Sequence, residues 1–184
     1  MHRLELHRLQ GALGLAIQNG HRSKVQSLLS AGALPDGLAG HVPPLVVATA
    51  VGDIAIMDAL LRAGADVVAT TAAGETALHF AAGELHLNAA ACLLVNNAQV
   101  NAVDDLGRTP LHWATELARF RPVAANQLAH LLLEVGADGN ARDLVKQVSV
   151  FDLRPDWHGM ATRIRFEHAI VEVPPTRDPK LAQL

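Results

Sequence analysis

Apolar residues fall in doublets at a regular interval. Leu28-Leu29, Leu60-Leu61, Leu93-Leu94 and Leu132-Leu133 are each followed, three residues on, by Gly32, Gly64, Asn97 and Gly136. Glycine, with asparagine as its usual substitute, tolerates the left-handed backbone that ends a helix, so each doublet closes a helix. A second set of leucines, Leu13, Leu45, Leu78 and Leu111, precedes these stops by 19 residues in the first three cases and by 25 in the fourth. They place a first helix in each unit, which then reads as turn, helix, short reversal, helix and Gly-Ala loop. The surplus of about six residues in the fourth unit falls best between Glu116 and Val123. Pro122 within it predicts a loop rather than a longer helix.

The turns between units read as hairpin-like tips. In the tip from Asn101 to Arg108, Gly107 supplies a permissive turn and an aspartate can bond nearby amides. The tip before it, Ala69 to Glu75, keeps Gly74 and puts Thr71 where the aspartate stands. In the tips from Leu34 to Val42 and from Asn140 to Lys146, His41 and Lys146 take the place of the turn glycine. After Gln147 the pattern fades. Ser149 to Leu153 resembles the start of one more first helix, which Pro155 truncates. Residues 160–173 read either as a terminal helix with Met160, Ile164, Ala169 and Ile170 inward or, from the alternation at Ile164, Phe166 and Ile170, as a strand. Leu4, Leu6 and Leu9 suggest a short cap at the other end. The domain plan is therefore an array over 1–153, a C-terminal cap over 154–173 and a flexible tail over 174–184. Within the array, units fall near 10–36, 37–69, 70–102 and 103–141, with a partial unit at 142–153.

A literal repeat overlies this periodicity. Thr76-Ala77-Leu78-His79-Phe80-Ala81-Ala82 recurs 33 residues on as Thr109-Pro110-Leu111-His112-Trp113-Ala114-Thr115. A 33-residue period carrying T-P-L-H-x-A resembles the ankyrin repeat, over roughly residues 10–145. The resemblance implies an all-α ankyrin-repeat solenoid of about four to five helix-turn-helix units, with atypical capping ends. It implies that Thr76, His79, Thr109 and His112 bond neighbouring backbone and hold adjacent units in register. It also implies a non-enzymatic protein-binding surface, made of the tips and the inner face of the first helices. On one unit that surface comprises Thr70, Ala72, Ala73 and Glu75 of the tip and Phe80 of the helix. On the next it comprises Val103, Asp105, Leu106 and Arg108, with Trp113.

Composition narrows the setting. Half of the chain is hydrophobic but only 3% is aromatic, with no Tyr, so close-packed small side chains suit stacked helix pairs. A net charge of −3 gives no electrostatic reason to expect nucleic acid, which demands a clustered positive surface. Twelve arginines against three lysines, with abundant Ala, point to a GC-rich bacterial genome. The apolar run from Gly11 to Ile17 is too short for an export signal, and no window approaches the 18 apolar residues of a membrane span. A cytoplasmic monomer with no membrane association is expected.

Chemistry finds little to hold. Ten histidines show no H-E-x-x-H or related spacing, and no metal or cofactor is expected. Cys92, the single cysteine, excludes an intramolecular disulfide and reads as inert packing on a second helix. No phosphate loop and no nucleophile elbow appear. Arg163 and Arg165 are diluted by Glu167 and Glu172. In the insertion, Arg119-Phe120-Arg121 puts an aromatic between two cations, which reads as a tolerated surface loop or as a partner contact. The functional expectation is a module that binds a partner protein, in specific form an intracellular inhibitor or immunity-type protein. The alternative is a secreted bacterial effector that engages a host protein and uses residues 174–184 for export.

Overall fold

The four helix stops are left-handed. In a computed structural model, which describes residues 2–38 and 40–171, Gly32, Gly64, Asn97 and Gly136 have φ of 96°, 92°, 65° and 94°. They divide the chain into helix pairs: α1 His2–Gln18 with α2 Arg22–Ser30, α3 Pro44–Val51 with α4 Ile54–Arg62, and α5 Ala77–Gly83 with α6 Leu87–Val95. Then follow α7 Pro110–Leu117 with α8 Pro122–Glu134, and α9 Val150–Leu153 with α10 Pro155–Val171. First helices touch first helices in succession, second helices touch second helices, and each pair touches within itself. The described residues are thus an all-α, two-layer solenoid. Its tips carry only isolated bridges, Thr70 with Thr76 and Arg142 with Ser149.

The core is one continuous strip between the layers. Leu13, Leu45, Leu78 and Leu111 are at most 2% exposed, and Leu60, Leu93 and Leu132 are fully buried. Much of what surrounds them is alanine, including Ala81, Ala82, Ala114, Ala125 and Ala129. Small residues let the helices approach closely enough to exclude water. One hairpin leaves both flanks of this strip open, so each unit depends on its neighbours for burial.

Several local expectations change. Pro122 is not inside a loop: it opens α8, where its missing N–H is no loss and its fixed φ suits the first turn. The fourth unit's surplus accordingly lengthens the second helix, to 13 residues against nine in α4 and α6, and leaves only Ala118 to Arg121 as connection. In the tip before α3 the left-handed residues are Gly37 and Gly40 rather than His41, and in the tip before α9 the left-handed residue is Gln147 rather than Lys146. Residues 155–171 are helical, which removes the strand alternative. Trp157 is fully buried and donates its indole N–H to Asn126 Oδ1 at 2.8 Å, with Ile164 buried and Met160 half-buried on the same helix. The side chains of Ala169 and Ile170, and the segment 174–184, lie outside the described residues.

Gly74 shows what the tips require. It sits at φ 74°, and a Cβ there would come within 2.9 Å of Asp105 Oδ1 and 3.2 Å of the Asp105 amide nitrogen. Gly74→Ala is therefore expected to cost about 1–3 kcal/mol, the usual range for backbone strain of this kind. A denaturant midpoint equal to that of the unaltered protein would show that the tip relaxes freely.

Candidate functional site

The first turn of each inner helix is built by a reciprocal cap. Thr76 Oγ1 accepts from the His79 N–H, and the Thr76 N–H donates to His79 Nδ1 at 3.1 Å. With Nδ1 accepting, Nε2 carries the ring proton and donates to the carbonyl of Arg108 at 2.9 Å, in the next unit. The expected register lock is present at His79. His112 repeats the internal bond, from the Thr109 N–H to Nδ1 at 3.2 Å, but its Nε2 finds no hydrogen-bond partner among the described residues. The carbonyls of Val148 and Ala141 act on the ring without reaching bonding geometry. The tip that faces it is one residue longer: Asp143 stands six residues before Ser149, whereas Asp104 stands five before Thr109. The last cap exchanges His for Asp, Ser149 with Asp152, by the same two bonds.

Burial, the largest influence, holds the His79 and His112 rings below the ordinary value of 6.5, outweighing backbone acceptors and nearby carboxylates that act the other way. The folded chain therefore takes up these protons at lower pH than the unfolded chain. The stability they carry is complete above pH 6.5 and falls as pH drops below it. Melts of the protein and of His79→Gln, run in parallel from neutral to mildly acidic pH, are expected to differ most at neutral pH and to converge on acidification. A constant difference would show that His79 titrates alike in both states.

Asp104 organises the third and fourth units. Its Oδ1 accepts the N–H groups of Leu106 and Arg108 at 3.0 and 2.9 Å. Its Oδ2 accepts Arg108 Nε at 2.8 Å and the Trp113 indole N–H at 3.1 Å. Burial opposes its charge, yet the Arg108 backbone N–H, the indole and the guanidinium together hold the carboxyl below the usual range. Arg108 also reaches Glu116 at 3.1 Å and lies 4.9 Å from the centre of the Trp113 ring. The indole also meets Phe80, with ring centroids 5.4 Å apart, and fills the space that Gly83 leaves open, where a Cβ would stand 2.9 Å from Cε3. Trp113 is thus fixed by a carboxylate, a cation, a phenyl ring and a glycine, and remains half-buried rather than closed off. In the tip before it, Thr71 replaces Asp104: its Oγ1 accepts from Ala73 and Glu75 at 3.3 Å and donates to Glu75 Oε2 at 2.8 Å.

Backbone bonds run from tip to tip, from the Asp105 N–H to Ala73 O at 2.9 Å and from the Leu144 N–H to Leu106 O at 2.8 Å. They fix the candidate residues relative to one another. Thr70, Ala72, Ala73, Val103, Asp105 and Leu106 are exposed on two linked tips; Glu75, Arg108, Phe80 and Trp113 are half-buried beside them. Arg119, Phe120 and Arg121 are not part of this group. They are exposed at the far end of α7, Arg119 stacked on Phe120 at 4.8 Å, about 12 Å along the helix from the tip.

A neighbouring stretch went unnoticed in the sequence reading. Val42, Val47 and Ala50, with Ala72, Ala73 and Phe80, line an apolar groove of about 420 Å³. The signal was available: two residues after Leu45, Leu78 and Leu111 stand Val47, Phe80 and Trp113, and four after Ser149, as four after Thr109, stands Leu153. One apolar side chain per unit forms a row along the first-helix face.

Among the described residues no cluster of His, Cys, Asp or Glu could hold a metal, and no helix is long and apolar enough to cross a membrane. Burial, with Asp58 nearby, pushes the Cys92 thiol up, which disfavours the thiolate.

Comparison with protein families agrees with the geometry. The family model described as ankyrin repeats (3 copies) matches residues 45–143, more than half of the 184-residue chain. Ankyrin repeats are in general protein-binding scaffolds rather than catalysts. The stacked helix pairs, the Thr-His caps and this match together identify the chain as a member of the ankyrin repeat family.

Proposed function

We propose that this protein binds a partner protein on its first-helix face, through the row that runs from Val47 past Phe80 and Trp113 and through the two tips beside it. The observation that carries this reading is Trp113, a half-buried aromatic held in one pose by Asp104, Arg108 and Phe80 on a surface the fold does not need to keep apolar. A side chain already immobile loses little freedom on association, and aromatic and Arg side chains are the commonest anchors of interfaces. Thr70, Ala72, Ala73, Glu75, Val103, Asp105, Leu106 and Arg108 supply the surrounding contacts. Arg119, Phe120 and Arg121 belong to the surface only if the partner also reaches the far end of α7.

In its specific form the reading is of a monomeric bacterial cytoplasmic inhibitor, which occludes a partner enzyme by covering it. A rigid preformed strip suits steric occlusion, and the Arg-for-Lys skew supports the bacterial setting. A photo-reactive residue placed at Ala72 is expected to cross-link the native partner, while one at Ala63, exposed at the end of α4, is not. Cross-linking from Ala63 and not from Ala72 would put recognition on the other layer.

A further inference from the structure

Charge is unevenly distributed along the solenoid. Residues 37–107 contain seven carboxylates and a single cation, Arg62, a formal −6. The flanks are +2 over 1–36 (four cations, two acids) and +1 over 108–184 (ten cations, nine acids), which restores the total of −3. Three of the central carboxylates are matched by cations: Asp53 by Arg22 at 3.0 Å, Asp58 by Arg62 at 3.0 Å and Asp104 by Arg108 at 2.8 Å. Glu75, Glu84 and Asp105, like Asp66, make no ion pair among the described residues.

Glu75, Asp105 and Glu84 lie on segments that form or adjoin the apolar groove. Glu75 forms part of its wall. Asp105 is tied to the opposite tip through Ala73 O. Glu84 lies one turn beyond Phe80, its N–H bonded to the Phe80 carbonyl. Arg108, three residues after Asp105, is already engaged by Asp104 and Glu116. Arg62 is on α4, in the other layer.

We infer that this groove takes a cationic amphipathic segment of the partner: an apolar side chain against Phe80, Val47 and Ala50, flanked by Lys or Arg that face Glu75, Asp105 and Glu84. The inference rests on the preceding reading that the first-helix face binds a protein. Apolar contact supplies the affinity, because the groove walls are aliphatic and aromatic. The unmatched carboxylates select the partner: an acidic segment meets like charge with no cation to relieve it, whereas a basic one is drawn in at long range and bonded at short range.

The test uses the full chain and two short labelled peptides with the same leucine core, one flanked by lysines and one by glutamates, followed by fluorescence anisotropy. The lysine peptide is expected to bind, with affinity that falls as salt is raised, and the glutamate peptide is not. Glu75→Gln with Asp105→Asn is expected to weaken the lysine peptide by about fivefold. Glu84→Gln, a change at an exposed side chain that no fold contact needs, is expected to weaken it about twofold. Phe80→Ala should weaken it further, with melts confirming that each variant is folded. Equal or tighter binding of the glutamate peptide overturns the inference, as does failure of the lysine peptide to bind, or binding indifferent to all three changes. A concentration-dependent dimer that dissolves in the neutralised variant would assign the groove to a second copy and also overturn it. Cross-links from Ala72 to the native partner that persist unchanged in the neutralised variant would leave the first-helix reading standing and remove this one; their absence in the unaltered protein removes both.

Discussion

Leu111→Ala is expected to destabilise the folded chain by about 2–5 kcal/mol, in the upper half of that range. Leu111 is fully buried on α7, a helix that packs against α5, α8 and α9, so the cavity would open inside the stack. The cost of such a cavity depends on how far its walls can collapse. The buried side chains of this helix pair include Ala114, Ala118, Ala125 and Ala129. Alanine has no side-chain rotamer with which to fill space, and the backbones already lie close. The loss also spreads, since neighbouring units stabilise one another through their interfaces. Leu106→Ala, at a tip position 45% exposed, is the matched control and should change stability by no more than about 0.5 kcal/mol. Thermal melts of the two variants side by side decide the matter. Equal midpoints would take Leu111 out of the core and misplace the register of the whole array.

Trp113→Ala should reduce affinity for the native partner by roughly thirtyfold or more, the effect of removing an interface anchor worth about 2 kcal/mol. The argument is one of preorganisation. Asp104 accepts the indole N–H, Arg108 covers one part of the ring, and Phe80 and Gly83 set its depth. A truncation here also removes one of the four donors to Asp104 and uncovers Gly83, so a loss of stability accompanies it. Trp113→Phe helps to separate the two effects: it keeps an aromatic ring beside Phe80 and loses the indole N–H with part of the ring area. Titration calorimetry with the purified partner, beside melts of both variants, is the measurement. A folded Trp113→Ala protein with undiminished affinity would show that recognition bypasses this residue.

The parts of this molecule that could be read from the chain are those set by short-range rules. Gly32, Gly64, Asn97 and Gly136 adopt the left-handed backbone that their position after a leucine doublet demands. Thr76 and His79 form the cap that the repeated T-x-L-H spells out. Local rules failed where two readings of one residue compete. Proline breaks a helix interior but is welcome at its first turn, and Pro122 takes the second role. Glycine at position 40, one residue before the place that the period assigns, takes over the left-handed turn and frees His41 from it. Trp157 was illegible for a different reason. Nothing in its neighbourhood marks it as buried until Asn126, 31 residues earlier, is placed beside it to accept the indole proton. For the candidate site, Phe80 and Trp113 were visible because they occupy the variable position of a recognised motif. Val47 and Leu153 fall in the same row but lack the motif around them, since Val46 and Asp152 stand where His79 and His112 stand in the other units.

Hydrogen–deuterium exchange of the chain alone and in complex with its native partner tests the central claim most directly. The account predicts slowed exchange on the tips at 70–76 and 103–109 and on the inner helices α3, α5 and α7, with α4 and α6 unchanged. Protection confined to α4, α6 and α8, with the tips exchanging as in the free protein, would contradict it.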